Sequence, residues 1–228
     1  MNAVGTLENA DVRLEPLSLA HVASLAAASA EDPDLYALAP VPTDEVGMRA
    51  YVEAALADAA AGRAVPFAIV RKRVPDAGGA DAGQVVGSTR FMNLEWWAWP
   101  PRPIRVSGEP RRAAAGDPPD VVEIGHAWLA ASALRTNANT AACLLLMAHA
   151  FEVWRVHRLT LKTDARNARS RAAIERLGGR FEGVLRAHLP AADGIVRDTA
   201  MFSLLPAEWP NAKMRLESAL ARAHHGGP

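Results

Sequence analysis

Two stretches of the chain hold side chains whose spacing could do chemistry. The first, residues 121–129, is a β-branched run containing Glu123 and His126, a carboxylate and an imidazole able to take up or release a proton. Three positions apart, they alternate onto opposite faces of a regular strand, so both reach one cleft only if a bulge alters the count. The second is the polar loop of Leu134, Arg135, Thr136, Asn137, Ala138 and Asn139, with Thr140 opening an apolar helix. Backbone N–H groups ahead of a helix are unpaired and lie at the positive end of its dipole, which suits an anion such as a pyrophosphate. Farther on, Asn167 introduces a short helix carrying Ser170, a hydroxyl whose plain reading at that position is a helix cap.

Several elements must hold these groups in place. A strand at 12–17 leads to a helix capped by Ser18 that runs to about 29, then to an irregular, proline-containing stretch at 30–42 that includes Tyr36. Thr43, Asp44 and Glu45 open a second helix that stops at Gly62. Strands at 65–70 and 85–94 flank a loop at 75–83, and a proline- and arginine-rich insertion occupies 97–120. After the strand at 121–129 come a helix at 140–154, a strand at 158–163 and a helix at 170–177 halted by Gly178 and Gly179. Strands at 180–189 and 196–204 join through a turn with Asp193 and Gly194, and a last helix covers about 206–225. Alternation of this kind predicts an α/β (α+β) protein, and 228 residues suit one large domain.

Composition narrows the field. Lysine plus arginine and aspartate plus glutamate each total 25, so no broad basic field invites nucleic acid. Arg102, Arg105, Arg111 and Arg112 form a local basic run, read as solvated loop charge. Cys143 is the only cysteine and lies in an apolar run, which excludes a disulfide and a cysteine-built zinc site. His149 and His157 lack a third ligand at suitable spacing, so no metal is expected. Nothing resembles a secretory leader or a membrane span, and a cytoplasmic protein is the expectation.

Val122-Glu123-Ile124-Gly125, then Trp128-Leu129, then Leu134-Arg135-Thr136-Asn137-Ala138-Asn139-Thr140 resemble the acetyl-CoA-binding core of the GNAT superfamily. Thr163-Asp164-Ala165-Arg166-Asn167, with Ser170, Ile174 and Leu177-Gly178-Gly179, is similar to its second cofactor-contacting segment, in the branch that holds the ribosomal-protein N-terminal acetyltransferases. The resemblance implies a mixed central sheet of six to seven strands, splayed in the middle, with helices on both faces. It implies an N-acetyltransferase, an acyltransferase of the class that moves groups other than aminoacyl groups, using acetyl-CoA as cosubstrate. The strand holding Trp128 and Leu129 would pair with the pantetheine arm. The loop 134–140 would wrap the pyrophosphate with Arg135 adding charge, and Asn167 would bond the pantetheine.

The chain departs from the family at two places. Asn137, Ala138 and Asn139 stand where glycines are usual, and asparagine is read as a substitute that tolerates left-handed torsions. Ile174 stands where many members place the tyrosine that protonates the departing thiolate, which leaves Ser170 as the nearby hydroxyl. Glu123 is the first choice of base, directly or through water, with His126 as the other candidate and a structural ion pair as the plain alternative for Glu123. Tyr36, Trp97 and His188 are acceptor-side candidates. The tryptophans at 96, 97 and 99 equally suit a dimer contact or packing of the insertion. The acceptor expected is a primary amine, on a small molecule or a protein N-terminus, and a homodimer is expected from the family. The competing reading is a catalytically silent module of the same fold that binds acyl-CoA as a sensor or mediates an interaction.

Overall fold

The computed structural model describes residues 4–72, 83–99 and 116–225. The expected loop at 75–83 lies almost wholly outside them, as does most of the 97–120 insertion with Arg102, Arg105, Arg111 and Arg112. The described elements are β1 (Leu7–Glu8), β2 (Val12–Pro16), α1 (Val22–Ser29), α2 (Glu45–Ala60), β3 (Ala64–Arg71), β4 (Gln84–Glu95), β5 (Val121–Leu129), α3 (Ala138–Ala148), β6 (Arg158–Asp164), α4 (Ala168–Arg176), β7 (Arg180–Pro190), β8 (Val196–Leu204) and α5 (Trp209–His225). They follow the order read from the sequence. The two-residue β1 is an eighth strand beyond the six or seven expected, too short to leave a period in the sequence.

All eight strands form one mixed sheet in the order β1-β2-β3-β4-β5-β6-β8-β7, with only β5 and β6 parallel. Alternation along the strands sorts two cores. Phe67, Phe91, Val122, Ile124, Leu159 and Phe202 point to the face covered by α3 and α5. Ala68 and Trp128 point to the other face, covered by α1 and α2 through Val22, Leu25, Met48 and Val52. Each fully buried large side chain contributes about 1.5–3 kcal/mol of burial, so the sheet is fixed from both sides.

The helix ends follow their local chemistry. Asp44 caps α2 by accepting the Gly47 N–H at 2.9 Å, and the chain leaves that helix through Gly62 at φ 70°. Ser18 opens a short 3₁₀ turn, Leu19–His21, that precedes α1, and its own N–H donates to His21 Nδ1 at 3.1 Å. Pro210 is the second residue of α5, where a missing N–H costs nothing. Among the described residues, no helix is long and apolar enough to cross a membrane.

Candidate active site

The parallel pairing of β5 with β6 covers three positions, Val121 with Arg158, Val122 with Leu159 and Glu123 with Thr160, and then ends. Beyond it β5 stays with β4 as far as Leu129, while β6 stays with β8 as far as Asp164. The sheet therefore opens into a wedge with Glu123 at its apex. From Ile124 onward the edge of β5 that faces β6 has no strand partner among the described residues, and free main-chain groups of this kind can take an extended ligand as an added strand.

Glu123 is 4% exposed. Its Oε2 accepts from Asn93 Nδ2 at 2.8 Å and pairs with Lys162 Nζ at 2.9 Å. Its Oε1 lies over Gly125, where an added Cβ would come within 3.1 Å of it, and among the described residues nothing donates to that oxygen. One carboxylate oxygen is thus held and the other is available. Asn93 reaches Glu123 from a left-handed backbone, φ 48°, at an irregularity in β4.

A bulge does bring His126 to the same face as Glu123. On β4, Arg90 pairs with Gly125 and Ser88 with Trp128, so Thr89 alone opposes both His126 and Ala127. His126 has φ 47°, a left-handed torsion that costs a non-glycine residue about 1–2 kcal/mol. Its ring lies 6.2 Å from that of Tyr51 on α2, the face to which Glu123, opposite Met92, also points. Water reaches part of the ring, and the surrounding protein desolvates the rest. Desolvation first, then the positive charges of Arg90 and Lys162, push its pKa down to about 4, leaving the imidazole neutral near pH 7.

The polar loop ahead of α3 presents bare donors. Among the described residues, no protein acceptor meets the backbone N–H groups of Arg135, Thr136, Asn137, Asn139 or Thr140. The turn is shaped by Thr136 Oγ1, which donates to the Ala133 carbonyl at 2.7 Å and accepts from the Ala138 N–H at 3.3 Å. Asn137 Nδ2 donates to Asp11 Oδ1 at 3.1 Å and ties the loop to the start of β2. The torsional reading of Asn137 to Asn139 is corrected: Asn137 has φ −69°, and Ala138 and Asn139 are in the first turn of α3. The left-handed residue is Arg135, φ 59°. The three positions need no glycine because each has an ordinary right-handed torsion.

Across the wedge, Asn167 caps α4 by accepting the Ser170 N–H at 3.0 Å. Ser170 is therefore not the cap, and its half-buried hydroxyl makes no hydrogen bond among the described residues. Ile174 is buried beneath it in the core. The irregular stretch between α1 and α2 spans both walls. Tyr36 donates its hydroxyl to the Leu129 carbonyl at 2.9 Å, and the Leu35 carbonyl accepts from Arg169 of α4 at 2.9 Å.

A family model described as an acetyltransferase (GNAT) domain matches residues 11–180. The chain belongs to the GNAT acetyltransferase family. YdaF of Bacillus subtilis (strain 168), whose name assigns it provisionally to the ribosomal N-acetyltransferases, is 36% identical over 91 residues; the match covers 40% of this chain and 49%, about half, of that relative. A crystal structure from T. thermophilus, provisionally named an acetyltransferase, is 32% identical with a TM-score of 0.71, covering 96% of this chain and 99% of that one. Mycobacterium smegmatis RimJ, solved with CoA-disulfide, is 24% identical with a TM-score of 0.69, covering 96% and 94%. At that identity it testifies to the fold.

Within this GNAT fold the sequence-derived candidates divide. Glu123, His126, Trp128 and Leu129 lie along β5, residues 134–137 form the loop beyond its end with 138–140 opening α3, and Asn167 and Ser170 stand on the facing wall. Tyr36 reaches the site as a structural clasp: its ring meets Trp128 edge-on at 5.6 Å, and burial pushes its hydroxyl pKa up to about 12. Trp97 is not brought there. It stacks on His157 at 5.5 Å, and its N–H donates to Asp120 Oδ2 at the closed end of the wedge. His188 follows a bulge at Ala187 on β7, and no hydrogen bond or ring contact joins it to Glu123 or His126. Cys143 is core, its thiol pKa raised to about 12 by burial, and no three metal-ligating side chains gather among the described residues.

Sequence reasoning missed Asn93, Lys162, Arg90 and Tyr51, all on the Glu123 face. Lys162 had left a signal: a lysine within the 158–163 strand, next to a glutamate-bearing strand, is placed to pair with it. Asn93 had another, since asparagine inside a strand marks a left-handed kink.

Proposed function

We propose that the protein is an acetyl-CoA-dependent N-acetyltransferase that moves an acetyl group to a primary amine by direct attack in a ternary complex. The observation that carries this reading is the wedge that opens at Glu123, with free amides ahead of α3 at one side and the unbonded Ser170 hydroxyl at the other. The donor set suits coenzyme A: the amides of Arg135, Thr136, Asn137, Asn139 and Thr140 would receive the diphosphate, and the free edge of β5 past Glu123 would pair with the pantetheine amides. RimJ, which shares the fold, carries a coenzyme A derivative, in keeping with this fit.

In this reading the amine nitrogen attacks the thioester carbonyl carbon, a C–N bond forms, and the C–S bond breaks. The proton lost from the amine goes to Glu123 Oε1, directly or through one water, while Asn93 and Lys162 hold the other oxygen still. The sulfur leaves as thiolate beside α4 and is protonated through the Ser170 hydroxyl, which passes its proton on as it takes one from solvent water, while Glu123 returns the amine proton to solvent. His126, neutral at pH 7, adds no charge beside the attacking amine.

The silent-module reading drew its force from the missing glycines, and helical torsions at 137–139 remove that ground. Calorimetric titration with acetyl-CoA followed by a thiol-release assay on a panel of amines separates the two. Binding with turnover supports the enzyme, whereas tight binding without turnover on any amine supports the silent module.

A further inference from the structure

The α2 face of the wedge holds several buried side-chain polar atoms that meet no partner among the described residues. Arg90, on β4, is 4% exposed. Its guanidinium lies 5.2 Å from the centre of the Tyr51 ring, and its buried Nε has no hydrogen-bond partner among the described residues. The nearest carboxylate oxygen, Asp58 Oδ2, is 4.0 Å away, and Asp58 is itself held by Arg63 at 2.7 Å. On β8, Arg197 Nε and Thr199 Oγ1 are also buried without partners. Register sets Thr199 opposite Asp164 and Met201 opposite Lys162, so these β8 groups share the Lys162 face. Ser88 Oγ and Trp128 Nε1 are unpartnered on the same side of the β4–β5 pair.

A buried guanidinium short of acceptors is costly, and a partner that offers only acceptors removes that cost. Lys162 does not fill the need, since it is a cation engaged by Glu123. The three cations around His126, Arg90, Lys162 and Arg197, outweigh Asp58, and all three act to lower its pKa. Met92 opposes Glu123, so Arg90, two residues back on β4, is the diagonal neighbour of Glu123. Diagonal positions across such a pair lie roughly 7–8 Å apart at Cα. A molecule touching both needs its anion only a few bonds from its amine.

We infer that the acceptor is an amine bearing a carboxylate or phosphate close to its nitrogen, with Arg90 as the residue that receives the anion. This rests on the acetyl-transfer reading of the wedge. It selects against plain polyamines, whose second charge would face Arg90 across a poorly screened cleft.

The test compares matched acceptors with wild-type enzyme in the thiol-release assay: serine against serinamide, phosphoethanolamine against ethanolamine, and short peptides with Asp against Asn at the second residue. These arms distinguish a free amino acid, a phosphate ester and an acidic peptide as the source of the anion. At least one pair is expected to favour the anionic member in kcat/KM by about ten- to a hundredfold, the scale of a hydrogen bond to a charged group. Arg90→Gln is expected to cut that preference by most of its size through KM, and Arg90→Lys to retain part of it. The acetyl-CoA Kd of Arg90→Gln, read calorimetrically, is expected to stay within threefold of wild type. Wild type that uses neutral and anionic members equally overturns this inference alone, without needing any variant to fold. An equal loss of acetyl-CoA affinity in Arg90→Gln also overturns it, by assigning Arg90 to the coenzyme. Wild type that binds acetyl-CoA but acylates none of the amines overturns both this inference and the reading on which it rests.

Discussion

Replacing Glu123 by glutamine removes the proposed base and the partner of a mostly buried lysine in one step, and the two effects have different sizes. Breaking a buried pair costs about 3–5 kcal/mol because the survivor is left charged and unpaired. Lys162 keeps 16% of its side chain in solvent against 5% for Glu123, which points to the lower end, about 3 kcal/mol. For a chain of 228 residues that is a fall in Tm of roughly 6–12 °C. Loss of a general base costs about a hundred- to ten-thousandfold in rate. The double variant Glu123→Gln with Lys162→Met removes the orphaned charge, so most of the Tm should return while kcat/KM stays at least a hundredfold down. Differential scanning calorimetry and thiol release on the same samples read both quantities. Recovery of kcat/KM to within tenfold of wild type in the double variant would refute the reasoning and leave Glu123 as a structural ion pair.

Other outcomes follow from the same geometry. Ser170→Ala should lower kcat with a Tm shift below about 2 °C, because the cap of α4 is Asn167; Asn167→Ala should instead cost about 1 kcal/mol, seen in thermal melts. Ala138→Gly should lower stability by about 0.5–1 kcal/mol without tightening acetyl-CoA in calorimetry, since its torsion is already helical. Tyr36→Phe should cost about 1–3 kcal/mol by stranding the buried Leu129 carbonyl, read in urea melts. The folded-state pKa of His126, about 4, lies below the ordinary 6.5, so the unfolded chain binds more protons between those values. Its contribution to stability is complete above pH 6.5 and is lost as pH falls toward 4. His126→Asn should flatten that part of the urea midpoint against pH, and an unchanged slope would count against the assignment.

How much of this could be read from the residues depended on range. Strand and helix order was legible because β-branched runs and caps such as Asp44 and Gly62 are local signals. The turn ahead of α3 was legible for the same reason, being a strand, a polar turn and a helix start in sequence. What escaped was set across strands. The Glu123–Lys162 pair needs β5 and β6 to be parallel neighbours, and Arg90 needs the bulge that sets it opposite Gly125. Trp97 was drawn to the wrong end of β5 because an aromatic cluster carries no information about which end of a sheet it covers. The loop substitutions misled for a subtler reason: residue type indicated which torsions were permitted, while the left-handed turn was taken up two residues earlier by Arg135.

The central claim is that the wedge receives coenzyme A, and a crystal structure of the protein with acetyl-CoA tests it most directly. The account predicts diphosphate oxygens within hydrogen-bond distance of main-chain N–H groups between Arg135 and Thr140, with the thioester carbon between β5 and β6 and facing Glu123 Oε1 directly or across one water. A coenzyme bound elsewhere, or one whose thioester points away from Glu123, would contradict it.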